Sequence, residues 1–220
     1  MTHGDDSSPR VERLKQDAFG AIYRVREGAR MLIRRDTRTA RVGLRWFARH
    51  VARREVRALQ KLEGLRGVPR LLHSDRDVVE RSYIGGLPMQ EAQPRDPDYF
   101  HAARRLVLAM HRRGVVHNDL AKEPNWLVTA TGEPALVDFQ MAVIRPRHTP
   151  MFRLLALEDL RHMLKHKRSY CPAQLTPIER KVLARRSWIA RTWAATGKRL
   201  YLFVTRRLLR TADNEGRGVA

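Results

Sequence analysis

Three polar side chains in the middle of the chain are of the types that hold a metal ion beside a phosphate: Asp119, Asn125 and Asp138. A hairpin pattern between Asn125 and Asp138 returns the chain, so we expect the three side chains to converge. Carboxylate and amide oxygens are the hard ligands that Mg²⁺ prefers, and one carboxylate would be left to orient a hydroxyl nucleophile. The spacing therefore predicts a site for Mg²⁺ and a polyphosphate.

The predicted elements that would position these residues are strands in the first part of the chain and mainly helices in the last part. Apolar residues alternate over residues 14–35, which predicts a β-hairpin. Apolar residues at steps of three and four predict one helix over residues 44–65, with Glu55 on its apolar stripe, and a second over residues 98–113. Beyond Pro150 the pattern is mostly helical. The predicted fold class is therefore α+β.

The chain is strongly basic, with 44 Lys and Arg against 23 Asp and Glu and a net charge of +21. Residues 24–66 carry +10 and residues 161–210 carry +13, whereas residues 67–160, which contain the three polar side chains, are neutral. Basic flanks of this kind attract nucleic acid, anionic lipid or phosphorylated sugar, and the charge alone does not choose among them.

The composition excludes several classes of protein. The single cysteine, Cys171, excludes a disulfide scaffold and a thiolate zinc cluster. The apolar runs are far shorter than the ~20 residues that cross a bilayer. The first residues lack the basic and apolar regions of a secretory signal. We therefore expect a cytoplasmic protein, with peripheral contact to the inner face of the membrane as an option.

One segment resembles a known motif. Residues 117–125 read H-N-D-L-A-K-E-P-N and resemble the catalytic loop H-x-D-L-x-x-x-N of the protein-kinase-like superfamily. Asp138-Phe139-Gln140 resembles its D-F-G motif, and Glu55 matches its helix glutamate. The order of the parts is that of the superfamily over residues 14–165. Within the superfamily the chain is similar to small atypical bacterial kinases, namely RIO-like kinases and lipopolysaccharide (Kdo-type) sugar kinases.

The resemblance implies a two-lobed protein-kinase-like fold with ATP and Mg²⁺ between the lobes. Residues 1–13 would be a flexible tail, and residues 14–86 a small β-rich N-lobe. Residues 87–220 would form a mainly helical C-lobe with a basic helical C-terminal region. The protein would move the γ-phosphate of ATP to a hydroxyl acceptor.

The resemblance also implies roles for the residues of the catalytic loop. Asp119 would orient the acceptor hydroxyl, and Lys122 would contact the γ-phosphate. Asn125 and Asp138 would hold the metal ion. His117 would brace the loop from within.

Other implied roles lie outside the loop. Arg34 would replace the usual phosphate-binding lysine and pair with Glu55, with Arg35 as the competing candidate. Tyr83 and Ile84 would meet adenine through their backbone groups. Two further residues complete the implied set: Gly20 as the remnant of the glycine-rich loop, and Asp159 as an anchor for the catalytic loop backbone.

The chain departs from the superfamily pattern in four ways. Six steps separate Asp119 from Asn125, one more than in the pattern, so the loop must bulge, with Pro124 as the candidate position. Arginine occupies the position where a phosphate-binding lysine is usual. Its charge is spread over a planar guanidinium group, so it does not replace the point charge of a lysine ammonium group. Gln140 replaces the glycine of D-F-G, and the glycine-rich loop is nearly absent. These losses leave a catalytically weak pseudokinase, acting as an ATP-binding or a polyanion- or membrane-binding module, as the alternative.

The acceptor and the other partners stay open. A protein Ser/Thr acceptor follows from the RIO-like resemblance, and a lipopolysaccharide sugar fits the basic flanks. The basic stretch 161–210 is typical of helices with a solvated outer face. It would also suit an anionic membrane surface, where Trp188, Trp193 and Tyr201 would lie at the interface, and it favours nucleic acid less.

Overall fold

The structure is a computed structural model and describes residues 10–184 of the chain. The chain divides into two compact units, Met1–Thr176 and Pro177–Ala220. The second unit contributes one described helix, Pro177–Ala184. The predictions for Trp188, Trp193 and Tyr201 lie outside the described residues.

The N-terminal part of the first unit is an antiparallel five-stranded sheet with strand order β1-β2-β3-β5-β4. Its strands are β1 (Arg10–Asp17), β2 (Gly20–Glu27), β3 (Arg30–Asp36), β4 (Leu71–Ser74) and β5 (Val78–Ser82). Strand β1 begins inside the segment predicted as a tail. All of its residues are exposed, so it forms through pairing with β2 and not through an alternating burial pattern, which is why the sequence did not indicate it.

One helix, α1 (Arg45–Lys61), interrupts the sheet between β3 and β4. It buries a stripe at helical spacing that contains Ala48, Ala52, Glu55 and Ala58, as the apolar periodicity predicted. The carboxylate of Glu55 is therefore carried into the interior by the same face that packs the helix. Helix α1 ends before the predicted limit of 65, and Gly64 follows in a left-handed conformation with φ +73°.

The C-terminal part of the first unit is mainly helical. Its elements are β6 (Leu87–Pro88), α2 (Met89–Ala92), α3 (Pro97–Arg112), β7 (Val115–Val116), β8 (Trp126–Val128), β9 (Pro134–Leu136), β10 (Val143–Ile144) and α4 (Pro150–Tyr170). Asp96 and Thr149 cap the two long helices by accepting hydrogen bonds from Asp98 N and Phe152 N. The remaining helix, Pro177–Ala184, is α5. Among the described helices, none combines the length and the apolar character that crossing a bilayer requires.

The short strands of this part hold the candidate site between them. Strands β6, β8 and β9 form one small sheet, and β7 pairs with β10 in another. The loop between β7 and β8 carries residues 117–125, and Asp138 follows β9. The predicted α+β fold class, with a small sheet-rich N-lobe and a mainly helical C-lobe, is confirmed by this architecture.

Candidate active site

Asp119 and Asn125 are joined directly. Asn125 Nδ2 donates to the carbonyl oxygen of Asp119 at 2.9 Å and to Asp119 Oδ2 at 3.1 Å. Because Nδ2 is the atom that bonds to Asp119, Asn125 Oδ1 is the atom left to contact a cation. The loop between β7 and β8 therefore brings these two predicted residues together.

The extra residue of the loop is absorbed by one turn of 3-10 helix, Glu123–Asn125. Asn125 N–H donates to Lys122 O at 3.2 Å, which closes the turn. Pro124 lies inside it, at a position where its missing N–H costs no hydrogen bond. The bulge expected at Pro124 is thus a tight turn that returns Asn125 to Asp119.

Helix α4 and strand β8 hold the inner side of the loop. Leu120 O accepts from Trp126 Nε1 at 3.0 Å and bonds His166 Nε2 at 2.8 Å. Tyr170 OH donates to Glu123 Oε2 at 2.9 Å. No local sequence pattern indicated His166 or Tyr170, because each meets the loop from more than 40 residues away.

Asp159 lies under the start of the loop. Its carboxylate accepts from His117 N at 2.8 Å and from Asn118 N at 3.0 Å, and it lies 3.1 Å from His111 Nε2. The side chain is 1% exposed. Asn118 has φ +62°, a left-handed conformation that asparagine tolerates, and the bond from its N–H fixes it there. Asp159 therefore anchors the loop backbone from α4, in the place that the resemblance implied.

His117 braces the loop as a neutral side chain. Its ring is fully buried and packs on Phe139, with ring centroids 4.6 Å apart. Burial lowers the pKa of the imidazole and outweighs the opposing charge of Asp159. Nε2 lies 2.9 Å from Val137 O, so the neutral ring donates its Nε2–H to that carbonyl.

We expect acid to destabilise the protein through His117. Its folded-state pKa is lowered, so the unfolded chain takes up the proton first and stability falls as the pH drops below about 6.5. The loss approaches about 1.4 kcal/mol per pH unit until the folded-state pKa is reached. Urea unfolding of the wild type and of His117→Gln at pH 7.5, 6.5 and 5.5 measures it.

The variant separates this contribution from others of the same sign. Glutamine can donate to Val137 O without titrating, so the acid-induced loss should be smaller in His117→Gln. Burial also lowers the pKa of His162, whose contribution stays in both proteins. An equal loss in wild type and variant would contradict the burial of a neutral His117.

Asp138 follows β9 in a left-handed conformation with φ +65°. Val137 N–H donates to Asn125 O at 3.0 Å, which ties the residue before Asp138 to the end of the catalytic loop. Gln140 Nε2 donates to Asp138 Oδ1 at 2.6 Å. The glutamine that replaces glycine therefore orients the carboxylate through one oxygen and leaves Oδ2 for another partner.

The predicted pair between Arg34 and Glu55 is wrong. Arg34 Nε donates to Glu80 Oε1 at 2.6 Å, directly across the β3–β5 ladder. Glu55, which is 0% exposed, pairs instead with Arg35 Nε at 3.3 Å and with Arg81 Nη1. Neighbouring residues of a strand point to opposite faces, so only Arg35 lies on the face that meets α1. Arg35, the competing candidate, is therefore the arginine of β3 that pairs with Glu55.

Arg81 is a second arginine at this position, and no motif indicated it. It lies at the end of β5, opposite Ile33, and precedes the predicted hinge. Burial, together with the positive charge of Arg35, lowers its pKa to about 10, against the opposing charge of Asp138. Arg81 is therefore still charged at neutral pH. The charge of Asp138 also opposes the lowering of the Arg35 pKa by burial, so this carboxylate acts on both guanidinium groups.

Both the backbone conformation and the packing at position 20 require glycine. Its φ is +125°, and a Cβ there would lie 2.3 Å from Asp36 O. The preceding turn at Ala18-Phe19 is stabilised by a local hydrogen bond, in which Phe19 N–H donates to Asp17 Oδ1 at 2.8 Å. This remnant of the glycine-rich loop thus uses one of its backbone donors internally.

The predicted hinge follows β5. Tyr83 N–H donates to Met31 O at 3.2 Å, which continues the β3–β5 pairing and uses that amide. Ile84 and Ser82 line a cavity of about 780 Å³ together with Ala102 and Leu106 of α3. The structure therefore places the predicted hinge between the sheet and α3.

The comparisons with known proteins agree with the kinase-like fold. A family model described as the RIO domain matches residues 10–175. The chain belongs to the RIO domain family. The match spans the five-stranded sheet, helices α1 to α4 and the loop between β7 and β8. No curated protein sequence shows significant similarity to the chain.

A solved structure of the RIO family is similar in fold. The Rio2 kinase from Chaetomium thermophilum superposes with a TM-score of 0.58 at 18% sequence identity, over 86% of this chain and 66% of that one. At this identity the likeness shows the kinase-like fold, and the chain spans just under two thirds of the Rio2 kinase chain. The likeness to lipopolysaccharide sugar kinases stays a prediction.

Proposed function

We propose that this RIO-domain protein is an ATP-dependent phosphotransferase. The observation that carries the proposal is the junction of Asp119 and Asn125 within one loop, with Asp138 tied to Asn125 through Val137. A hydroxyl-orienting carboxylate and two metal-binding oxygen donors are the parts that phosphoryl transfer to an alcohol requires.

The donor set fits Mg²⁺ carried in with ATP. Among the described residues there is no cluster of three or more His, Cys, Asp or Glu side chains that would hold a metal ion by itself. Asn125 Oδ1 and Asp138 Oδ2 are the atoms left by the hydrogen bonds around them, and nucleotide phosphates would supply further oxygens. Mg²⁺, when bound there, neutralises phosphate charge in the transition state.

Asp119 and Lys122 would orient the acceptor hydroxyl and the γ-phosphate for transfer. Asp119 would accept a hydrogen bond from the acceptor hydroxyl and direct its oxygen at the γ-phosphorus. Lys122 Nζ lies 2.8 Å from Asp119 Oδ2, so an ammonium group stands beside the oxygen that would receive the proton and near the incoming γ-phosphate. The rate would come from positioning and charge neutralisation, with no covalent intermediate on the protein.

Arg35 would bind the phosphates, with Glu55, which also pairs with Arg81, holding it in place. Its Nε lies 3.3 Å from Glu55 Oε2 in an ion pair, and the two terminal nitrogens of its fork would bind phosphate oxygens. Adenine would contact the hinge through the backbone of Ile84, because the Tyr83 amide already donates to Met31.

The acceptor we favour is a protein serine or threonine, in line with the family. The test is transfer of labelled γ-phosphate from Mg-ATP, with autophosphorylation, a generic basic protein and a lipopolysaccharide sugar as separate acceptors. Transfer to protein supports the proposal, and transfer to the sugar alone would overturn the choice of acceptor. Mg-dependent ATP binding without any transfer would favour the pseudokinase alternative.

The corrected arginine assignment gives a prediction of its own. We expect Arg35→Ala to lower kcat/KM for ATP by about 10²-fold, as the loss of a charge-assisted phosphate contact would. The protein should remain folded because Arg81 still pairs with the buried Glu55. Arg35→Lys keeps a cation and should restore activity to within about tenfold of the wild type. Steady-state kinetics with varied ATP measures both.

Arg34→Ala is the matched control. Arg34 is 32% exposed and pairs with Glu80 on the other face of β3, so its removal should change kcat/KM by less than about threefold. A larger loss in Arg34→Ala than in Arg35→Ala would contradict the assignment of Arg35 to the phosphates.

A further inference from the structure

Three neighbouring cavities form a continuous groove on the C-terminal side of α1. Their volumes are about 400, 380 and 550 Å³, and all three are lined by Ile144 of β10. Lys61, Arg57 and Arg145 each line two of them, which makes the groove continuous. We call it the basic groove, and it lies between α1, the end of α3 and β10.

The groove concentrates positive charge. Its cationic lining residues come from three different parts of the chain: Arg54, Arg57, Lys61, Arg112, Arg113, Arg145 and Arg147. Among the described residues no carboxylate lines it. Two of the cations bond to carbonyl oxygens, Arg54 to Met141 O and Ala142 O, and Arg113 to Glu63 O. These bonds fix side chains but leave the charge uncompensated, which favours an anionic ligand.

The edge of β10 adds a second feature that points to a particular ligand. Arg145 N–H donates to Gly114 O, and Val143 lies opposite Val116 in the antiparallel pair. Hydrogen bonding alternates along such a ladder, so Ile144 directs its N–H and C=O away from β7. Strand β10 is the edge of its two-stranded sheet in the described part of the chain. An extended peptide could therefore add to this edge.

We propose that the basic groove binds an extended acidic segment of a partner protein. Its carboxylates would meet the arginine side chains, and its backbone would pair with Ile144. No aromatic side chain lines the groove within the described residues, so it lacks the stacking platform of a single-strand nucleic-acid site. Its concave form, without an apolar ridge, does not suit insertion into a lipid surface. The segment would lie beside Ala142 and Val143, which follow soon after Asp138.

The test is binding of a fluorescent peptide of ten glutamate residues to the full chain, without ATP, so that it is independent of phosphoryl transfer. The groove variant is Arg57→Ala/Lys61→Ala/Arg145→Ala, whose three side chains are all exposed. We expect its Kd to rise at least about tenfold, the effect of losing roughly 1.4 kcal/mol of binding free energy. The control variant Arg30→Ala/Arg53→Ala/Arg104→Ala removes the same charge from exposed positions outside the groove and should change Kd less than about threefold.

A second pair of probes separates the contribution of backbone pairing with β10 from the contribution of charge attraction. The same peptide with alternate backbone nitrogens methylated keeps every carboxylate but cannot pair with β10 on one side, and it should bind the wild type at least about fivefold more weakly. Equal Kd values for the two peptides would overturn the role of the strand edge. Equal losses in the groove and control variants would overturn the groove. Tighter groove-dependent binding of a ten-nucleotide RNA, or of phosphatidylglycerol vesicles, would overturn the choice of a peptide.

Discussion

Replacing Asp119 with asparagine should reduce phosphate transfer by about 10²- to 10⁴-fold, the range that a positioned acid–base group contributes. Asparagine keeps the shape of the side chain and can still accept a hydrogen bond, but it cannot accept the proton of the acceptor hydroxyl. Its own amide group would also face Asn125 Nδ2, which now donates to Asp119 Oδ2 at 3.1 Å. Both effects act on kcat, and the measurement is single-turnover transfer with saturating Mg-ATP.

Asp138→Ala should reduce transfer through a different step. Because Asp138 would offer the metal one carboxylate oxygen while Gln140 binds the other, its loss should raise the Mg²⁺ concentration needed for half-maximal activity as well as lower kcat. Asp119→Asn should leave the Mg²⁺ requirement near that of the wild type. Identical Mg²⁺ dependence in the two variants would contradict the division of roles between the two carboxylates.

Both variants should remain folded, which makes the kinetic comparison meaningful. Asp119 pairs with Lys122, whose side chain is 63% exposed, and Asp119→Asn keeps the size and shape of the side chain. Gln140→Ala is a matched control for Asp138. It removes the group that orients the carboxylate but keeps the carboxylate, so its effect should lie between those of the wild type and Asp138→Ala.

The residues of the catalytic loop could be predicted because their geometry is set locally. Asp119 and Asn125 are separated by one turn, and the hairpin that leads to Asp138 has its own strand and turn signals. The packing partners of the loop could not be predicted in the same way. His166 of α4 bonds to the loop directly, His111 of α3 lies beside Asp159, and only the fold brings these two histidines there.

The predicted pairing of Arg34 with Glu55 failed for a different reason. The end of β3 reads Leu32-Ile33-Arg34-Arg35, with two apolar residues followed by two basic ones, so the alternation that assigns a face to each residue is ambiguous. The face is decided by the partner strand and by α1, which bring Glu55 to Arg35. Arg81 was missed because an arginine within a strand is usually taken as exposed, and its partner lies on a helix 26 positions earlier.

Asp159 should make the largest single contribution to stability among the residues of the site. Its buried carboxylate accepts two backbone hydrogen bonds from the catalytic loop and lies beside His111. Asp159→Ala leaves these donors buried without a partner, and we expect the free energy of unfolding to fall by about 3–5 kcal/mol. Urea unfolding followed by tryptophan fluorescence measures the loss, since Trp126 packs next to the loop.

The neighbouring carboxylate supplies the control for this prediction. Glu158 lies on the same helix and its side chain pairs with Arg161 at 3.6 Å, whereas Asp159 accepts two backbone hydrogen bonds from the catalytic loop, so Glu158→Ala should cost clearly less than Asp159→Ala. Asp159→Asn gives a second measurement if the alanine variant does not fold. Its oxygen can accept one of the two backbone bonds while its amide opposes the other donor, so the loss should be intermediate and transfer activity should fall with it. An Asp159 variant as stable as Glu158→Ala would mean that the loop keeps its conformation without this anchor, because the tight turn at Pro124 and the bonds from Trp126 and His166 are sufficient.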